Sequence, residues 1–598
     1  MCSCKGGFSV KVTEKTIIDN IFDKNVDKMA TIAFESIGGS TIDYKTFFDM
    51  VDVYAKAFKE LGIQNNDIVT ICSAGTLDTI LNFFALNKIG AVAQFVNPNY
   101  FKYNSTKYIN DTNSKLFICL DRFYPEIKDS IAETNIDRIL LSSISEYSSL
   151  LFKIIARRKK ISNADRIEGK KYMELPDFIK LGENSNIQLE RLPYVADKPA
   201  VVTYTSGTTG NPKGVIHTND SINNMIQIYS DTNGFGLAGN CRNLVLIPPM
   251  YLTSLVHSII TPTAMNSTSI LQPIYDPTTL GRDLKKYEPN LVVASKAHYI
   301  NLEDSKLPKG SLSATKNAYC GGEAISRSTA IRINEILDYY GMPPMIIGYG
   351  QTEFGTMTMF SNDIPTRTNE SGILIPGVEA KILDPITGEP VKKGERGELY
   401  ISTPAIMKAY INNPEDTELF FYTDEEGKKW GKTGDIAEVK YQYGGKDVYE
   451  VSGRAKDSFI DEDNNMVYLF DIETKIEDIK YVREAEVVAV TIDNKKVPIV
   501  HIVLDKKAKV VATDVLKLID EMLKNTLDNP NSIPYAYKIR DSFDTSPISG
   551  KRDYASLKFE TDGFYICDED GNFVPTTIHS EESDVENDLL HSKIGVQR

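Results

Sequence analysis

The sequence predicts an α/β protein, with a large N-terminal domain of mostly parallel, covered sheets followed by a small α+β C-terminal domain. Three observations predict this. Short β-rich apolar runs alternate with helical patterns over most of the chain, which implies right-handed crossovers and sheets covered on both faces. The texture changes after about residue 455, where two strand patterns, a turn and one helix form a compact module. Finally, 598 residues with 41% apolar content are ample for real cores and exclude whole-chain disorder.

The elements follow in order. Asp67-Ile-Val-Thr-Ile reads as a buried strand, Thr76 to Ile89 as an amphipathic helix, and Ala91 to Val96 as the next strand. Further buried-strand candidates are Lys115 to Cys119, Ile139 to Leu141, Ala200 to Tyr204, Leu244 to Ile247, Leu291 to Ala294 and Met345 to Ile347. Beyond residue 455 come Glu486 to Ile492, a turn at Asp493-Asn494, Ile499 to Leu504 and a helix from about Thr513 to Thr526. Lys153 to Lys171 holds eight basic and two acidic residues. It reads as a solvated surface helix or loop in preference to a membrane-surface helix.

Charge and cysteine usage narrow the function classes. With 67 Lys+Arg against 82 Asp+Glu the net charge is −15, a poor match to phosphate backbones or anionic lipid. Seven cysteines, of which only Cys2 and Cys4 are close together, indicate neither a disulfide framework nor a zinc site. No apolar h-region follows Met1 to Gly7 and no run of about 18 apolar residues occurs, so a soluble, cytoplasmic protein is expected.

The strongest local signal is Tyr204-Thr-Ser-Gly-Thr-Thr-Gly-Asn-Pro-Lys-Gly214, directly after an apolar strand candidate. Gly207, Gly210 and Gly214 let backbone N–H groups approach a ligand, while Thr205, Ser206, Thr208, Thr209 and Lys213 add donors around an anion. This is a phosphate cradle, although its spacing is not that of the common NTPase loop.

The cradle resembles the signature loop of the adenylate-forming (AMP-binding) superfamily, which includes acyl-CoA synthetases, coumarate–CoA ligases, luciferases and peptide-synthetase adenylation domains. Further matches follow in the family's order. Tyr319-Cys-Gly-Gly-Glu323 is similar to the segment lining the adenine pocket, and Gly348-Tyr-Gly-Gln-Thr-Glu353 to the one carrying the adenine-stacking tyrosine and the acidic magnesium ligand. Gly397-Glu-Leu-Tyr and Ala409-Tyr-Ile-Asn-Asn-Pro414 resemble a structural stretch that precedes Lys432-Thr-Gly-Asp435. Ser452-Gly-Arg454 with Asp457, and Pro547-Ile-Ser-Gly-Lys551, complete the set. Singly, Tyr349 would read as a packed core tyrosine, Asp435 as a turn residue and Lys551 as a solvated loop lysine. In this order they do not.

The resemblance implies ATP-dependent activation of a carboxylic acid to an acyl-adenylate, with loss of pyrophosphate, followed by transfer to CoA. It places ATP on Thr205, Ser206, Gly207, Thr208, Thr209, Gly210, Gly321, Gly322, Glu323, Tyr349, Gly350, Gln351, Thr352, Asp435 and Arg454. Glu353 and Thr209 would hold Mg²⁺. Lys551, Glu353 and Lys213 would be catalytic, and Lys456, two residues beyond Arg454, the hinge of a mobile C-terminal domain. The implied divisions are 1–455, a lid domain 456–559 carrying Lys551, and an acidic tail 560–598. That tail holds ten acidic and two basic residues, −8 of the −15.

No acid–base dyad is evident, which fits this chemistry: a carboxylic acid is already ionised at neutral pH, so fixed cations and N–H dipoles must supply the catalysis. The acyl pocket is expected at Tyr251, Leu252 and Tyr319. Leucine where amino-acid-activating members carry aspartate disfavours an α-ammonium substrate, so an apolar acyl or aromatic acid is expected. Asp457-Ser-Phe-Ile-Asp-Glu-Asp-Asn-Asn465 is one residue longer than the family's pattern, lacks its lysine, and has Asn464 or Asn465 in place of a glycine. Its acidity keeps an acyl carrier protein open as the acceptor beside CoA. A non-catalytic nucleotide-binding relative and a luciferase-like oxygenase are the remaining alternatives.

Overall fold

A computed structural model of the chain describes residues 13–36, 40–144, 147, 166–205, 212–232, 236, 240–322, 325–362, 364, 370–463, 465–505, 508–543 and 554–578. Among these, the α/β expectation is met by two large sheets, joined by two five-stranded sheets and a two-stranded one. The eight-stranded sheet runs, in spatial order, Ala409–Tyr410, Lys213–Thr218, Pro199–Thr205, Val92–Phe95, Ile68–Cys72, Leu116–Leu120, Arg138–Ser142 and Lys171–Glu174. Its pairings are parallel from Pro199–Thr205 to Lys171–Glu174, and antiparallel at the other edge.

The nine-stranded sheet has the same plan. Ile346–Tyr349, Asn317–Gly321, Leu291–Ala294, Arg242–Val245, Thr268–Leu271 and Ile32–Ser36 are parallel neighbours, with antiparallel strands at both edges. The central strands read as continuous apolar runs because both faces are covered: every residue of Leu116–Leu120 and Leu291–Ala294 is buried. The helix predicted from Thr76 spans Leu77–Lys88. All its residues but Lys88 are buried, so it sits between layers instead of showing one wet face.

One element escapes periodicity altogether. Ser254–Ile260 is a π-helix with all seven residues buried, continued by Thr261–Ala264. A wide-turn insertion has no sequence period of its own, and such segments gather at functional sites.

A third sheet, Glu379–Leu383, Gly397–Ser402, Lys429–Tyr443 and Phe421–Thr423, carries a long hairpin whose second arm is Lys446–Arg454. The hairpin sets Asp435 opposite Arg454. The chain then passes through the short turn Ala455–Asp457, which holds Lys456, into the strand pair Ser458–Ile460 and Met466–Tyr468.

The C-terminal module is a five-stranded sheet with helices Leu469–Glu477 and Ala512–Thr526 packed against it. Its first hairpin, Val482–Ile492 with Lys495–Leu504, turns at Asp493 and Asn494, both at positive φ (+51° and +61°). Asn and Asp tolerate that region better than other non-glycine residues, which is why this dipeptide marks the turn. Residues set aside as tail at 560 re-enter the fold: Phe564–Cys567 pairs with Ala536–Arg540, and Phe573–Thr576 closes the edge. The acidic segment thus begins against the sheet, at Glu560, whose carboxylate meets Lys538 (2.7 Å) and Arg540 (2.6 Å).

No helix of the described residues is long and apolar enough to cross a membrane. The basic segment 153–171 lies largely outside the described residues.

Candidate active site

Two of the motif loops stand at the carboxyl ends of parallel strands, where open α/β sheets place a ligand crevice. The first is the cradle. Thr205 ends one strand, Lys213 begins its antiparallel partner, and the two are register partners. Ser206, Gly207, Thr208, Thr209 and Gly210 lie outside the described residues, as do Glu323 and Lys551. Lys213 pairs with Asp416 (3.0 Å) and stands 5.2 Å above the Tyr410 ring, so this ammonium reaches the site's edge already balanced by a carboxylate.

The second loop follows Ile346–Tyr349. Gly350 is there for closeness: a Cβ at this position would lie 1.6 Å from the Thr356 carbonyl oxygen. The neighbouring Gly321 would bring a Cβ to 2.4 Å from the Gly348 carbonyl oxygen, so strands Asn317–Gly321 and Ile346–Tyr349 close up only without one. Gly322 follows directly at the strand's end.

Asp435, buried on the long hairpin, collects the donors around it. The Tyr349 phenol donates to its Oδ2 at 2.7 Å, the Gln351 amide donates to the same oxygen at 2.8 Å, and Arg454 Nε lies 3.1 Å from Oδ1. Gln351 and Arg454 also donate to the Thr433 carbonyl, at 2.8 and 3.1 Å. Burial pushes the Asp435 carboxyl above the usual carboxylate range, against the pull of Arg454, Tyr349 and Gln351. An acceptor so placed, beside a half-buried tyrosine and two strand-end glycines, suits a sugar diol next to an aromatic base.

Glu353 is buried beneath the same loop. Its Oε1 accepts from the Tyr410 phenol at 2.8 Å, and among the described residues no Lys or Arg lies within ion-pair distance. Burial therefore raises its carboxyl, with the Tyr410 hydrogen bond, Arg454 and Lys213 opposing. A desolvated carboxylate supported by a phenol and distant cations is an oxygen ligand whose burial a divalent cation would relieve.

The link between the loops is one that sequence reasoning passed over. Tyr410, in the short strand Ala409–Tyr410, pairs with Lys213–Thr218 on one side and grips Glu353 on the other. Buried His217 approaches the Thr352 carbonyl oxygen at 2.7 Å and fastens the same junction. Tyr410 stands in a segment that the sequence marks as structural, and nothing in its local pattern distinguishes a phenol that packs from one that donates.

The residues expected in the acyl pocket are largely shielded from solvent. Tyr251 is largely buried, and its hydroxyl is 3.4 Å from the Asn97 amide. Leu252 is 1% exposed and belongs to the main core, and buried Tyr319 accepts from the Tyr299 phenol through its carbonyl at 2.8 Å. Lys456 is half exposed and 3.9 Å from Asp457.

The acidic run after it is largely engaged within its own module. Asp461 accepts from the backbone of Asp463 (3.0 Å) and Asn465 (2.8 Å) and from the amides of Asn529 (2.7 Å) and Asn531 (3.1 Å). Those bonds outweigh its desolvation and hold its carboxyl below the usual range. Glu462 pairs with Lys495 at 2.9 Å. Asn465 therefore closes this turn with a backbone hydrogen bond to Asp461 instead of a left-handed backbone; Asn464 lies outside the described residues.

Comparison with known proteins agrees with this geometry. The model of the family described as AMP-binding enzyme matches residues 20–411. A long-chain-fatty-acid–CoA ligase of Bacillus subtilis (strain 168) is 23% identical over 514 residues, 84% of this chain and 88% of the relative. A 4-coumarate–CoA ligase-like protein of Arabidopsis thaliana is 25% identical over 418 residues, 68% of each chain. Among solved structures, ATP-bound MatB from Rhodopseudomonas palustris superposes with a TM-score of 0.74 at 20% identity, covering 91% of this chain and 98% of its own. The anthranilate CoA ligase AuaEII with anthranoyl-AMP also gives 0.74, at 18% identity, covering 91% and 96%. This chain belongs to the AMP-binding enzyme family.

Proposed function

We propose that the chain is an AMP-forming acid–thiol ligase, which converts a carboxylic acid and ATP to an acyl-adenylate with release of pyrophosphate and then passes the acyl group to CoA. The observation that carries the reading is the convergence of Tyr349, Gln351 and Arg454 on the buried Asp435, beside Glu353. In this reading Tyr349 and the Gly321-Gly322 strand end take the adenine and Asp435 the ribose hydroxyls. The 205–213 loop takes the phosphates. The attacking carboxylate is ionised at neutral pH, so the chain's own work is alignment and charge stabilisation. Glu353, with Thr209, would hold Mg²⁺, which supplies neutralisation of the triphosphate. Lys551 would bridge the carboxylate and the nucleotide, from a module that turns about Lys456 between half-reactions.

CoA is favoured over an acyl carrier protein as acceptor because Asp461 and Glu462 are engaged within their own module, by the Asn529 and Asn531 amides and by Lys495. They leave less repulsion for a polyanionic thiol than the sequence suggests. The test is pyrophosphate release across a panel of carboxylic acids, with and without free CoA, in wild type and Lys551→Ala. Acid-dependent release, thioester formation with free CoA alone, and loss of release in Lys551→Ala with supplied acyl-adenylate still converted are expected. ATP turnover without pyrophosphate would overturn the reading, and thioester formation only on a carrier protein would replace CoA as acceptor.

A further inference from the structure

The C-terminal module meets the large domain through the polar face of one helix. Along Leu469–Glu477, the side chains of Leu469, Ile472 and Ile476 are buried in the module's own core. Asp471, Thr474 and Lys475, on the other face, line a cleft of about 540 Å³ together with Arg327, Lys440 and Glu450 of the large domain. Arg396 lines the same cleft and crosses the seam. Its Nη1 lies 2.5 Å from Asp471 Oδ2 and its guanidinium 5.1 Å from the centre of the Tyr468 ring, while its Nε faces Glu438 at 3.3 Å. Among the described residues this is the ion pair that joins the two bodies, and the Ser328 hydroxyl adds a hydrogen bond to the Glu477 carbonyl at 3.4 Å.

Two features make this contact easy to open. The helix buries its apolar side chains within its own module, so hydrophobic burial does little to hold the seam shut. The charges are also satisfied after the seam parts. Arg396 keeps Glu438, whose carboxylate Lys440 also meets at 3.2 Å, and Lys440 keeps Glu450 at 3.3 Å. The Asp471 side chain is 32% exposed already, so water can take the place of the guanidinium. A fully buried ion pair that is broken leaves a charge stranded, which is costly. Neither partner is stranded at this seam.

We propose that Arg396 and Asp471 form a releasable tether, which holds the C-terminal module in the orientation described and sets how readily it turns. The inference rests on the acid-activating reading above and deepens it: both are positioning residues, acting through the module whose chain carries Lys551. Two orientations of that module serve two half-reactions, so a tether made in one of them biases the balance between acyl-adenylate and thioester formation. An ion pair of this exposure biases such a balance by about three- to tenfold, which differential binding of substrate is able to reverse. Because water and ions reach it, the bias weakens as salt is added.

The test measures the two half-reactions separately, as acid-dependent pyrophosphate exchange and as conversion of supplied acyl-adenylate to thioester, in wild type, Asp471→Asn and Asp471→Glu. Asp471→Asn is expected to shift the ratio of the two rates by about three- to tenfold, and Asp471→Glu, which keeps the charge, to stay close to wild type. Raising the ionic strength should move the wild-type ratio in the same direction and leave that of Asp471→Asn in place. A further readout needs no substrate: tryptic cleavage after the half-exposed Lys456, in the turn Ala455–Asp457, should quicken in Asp471→Asn by a similar factor. Equal losses in both half-reactions, an unmoved ratio, a salt response that survives Asp471→Asn, or cleavage at the wild-type rate each overturn the tether. If a variant does not fold, the salt response of wild type decides. No pyrophosphate from any acid defeats the acid-activating reading instead, and the cleavage rates then judge the tether alone.

Discussion

Tyr410→Phe deletes a single oxygen, and the expected consequences can be worked out. The lost group donates to Glu353 Oε1 at 2.8 Å in a buried setting, where a hydrogen bond to a charged group contributes about 1.5–3 kcal/mol. If the ionised carboxylate is what the chemistry uses, kcat/KM for acid-dependent pyrophosphate release should fall by roughly 10- to 100-fold at neutral pH. The ring stays beneath Lys213, so packing changes little.

The pH dependence gives a second readout. Burial already lifts the Glu353 carboxyl and the phenol pulls it back, so its removal lifts the group further. The acid limb of the rate profile should therefore move to higher pH. The stability difference has a defined sign as well. A carboxyl whose folded pKa exceeds its unfolded one stabilises the fold when protonated and costs stability once pH rises through the folded value. The variant should thus melt below wild type at neutral pH, with the gap narrowing on acidification. An unmoved acid limb, with a deficit the same at every pH, would show that Tyr410 merely packs and that Glu353 is not poised by it.

Two further outcomes are expected. Asp435→Asn should raise the KM for ATP by about tenfold or more with little change in the KM for the acid, since a charged acceptor for two hydroxyls becomes an amide; measuring both under saturating co-substrate settles it, and equal shifts would remove Asp435 from the ribose. Gly350→Ala must displace the Thr356 carbonyl that its Cβ would meet at 1.6 Å, so a loss of about 1–3 kcal/mol in denaturant unfolding and weakened ATP binding should appear together. Stability and binding unchanged would mean the loop is looser than its geometry states.

The central strands and their mostly parallel pairing were legible because buried strands are apolar along their whole length, as at Leu116–Leu120 and Leu291–Ala294; the order of strands and their division between two sheets were not. Tyr349, Gln351, Asp435 and Arg454 were legible as a set through motif order, though nothing local says that Tyr349 and Asp435 touch across 86 positions. The π-helix was not legible, since its apolar residues suit any buried helix. Tyr410 was missed for a related reason: a tyrosine among apolar neighbours looks the same whether its phenol merely packs or donates to a buried carboxylate. Charge counts after Asp457 likewise do not reveal that Asp461 is turned toward Asn529 and Asn531.

The hairpin Phe564–Cys567 and Phe573–Thr576 bears on how the protein can be shortened. Cutting at the end of the recognisable motifs, before Glu560, would strip Ala536–Arg540 of its antiparallel neighbour and leave Lys538 and Arg540 without their shared carboxylate. The bared strand would offer a row of unpaired N–H and C=O groups to any similar strand, a standard invitation to aggregation. Insolubility of such a truncated chain would therefore report an unsealed sheet edge, and its silence in an activity assay would carry no information about catalysis.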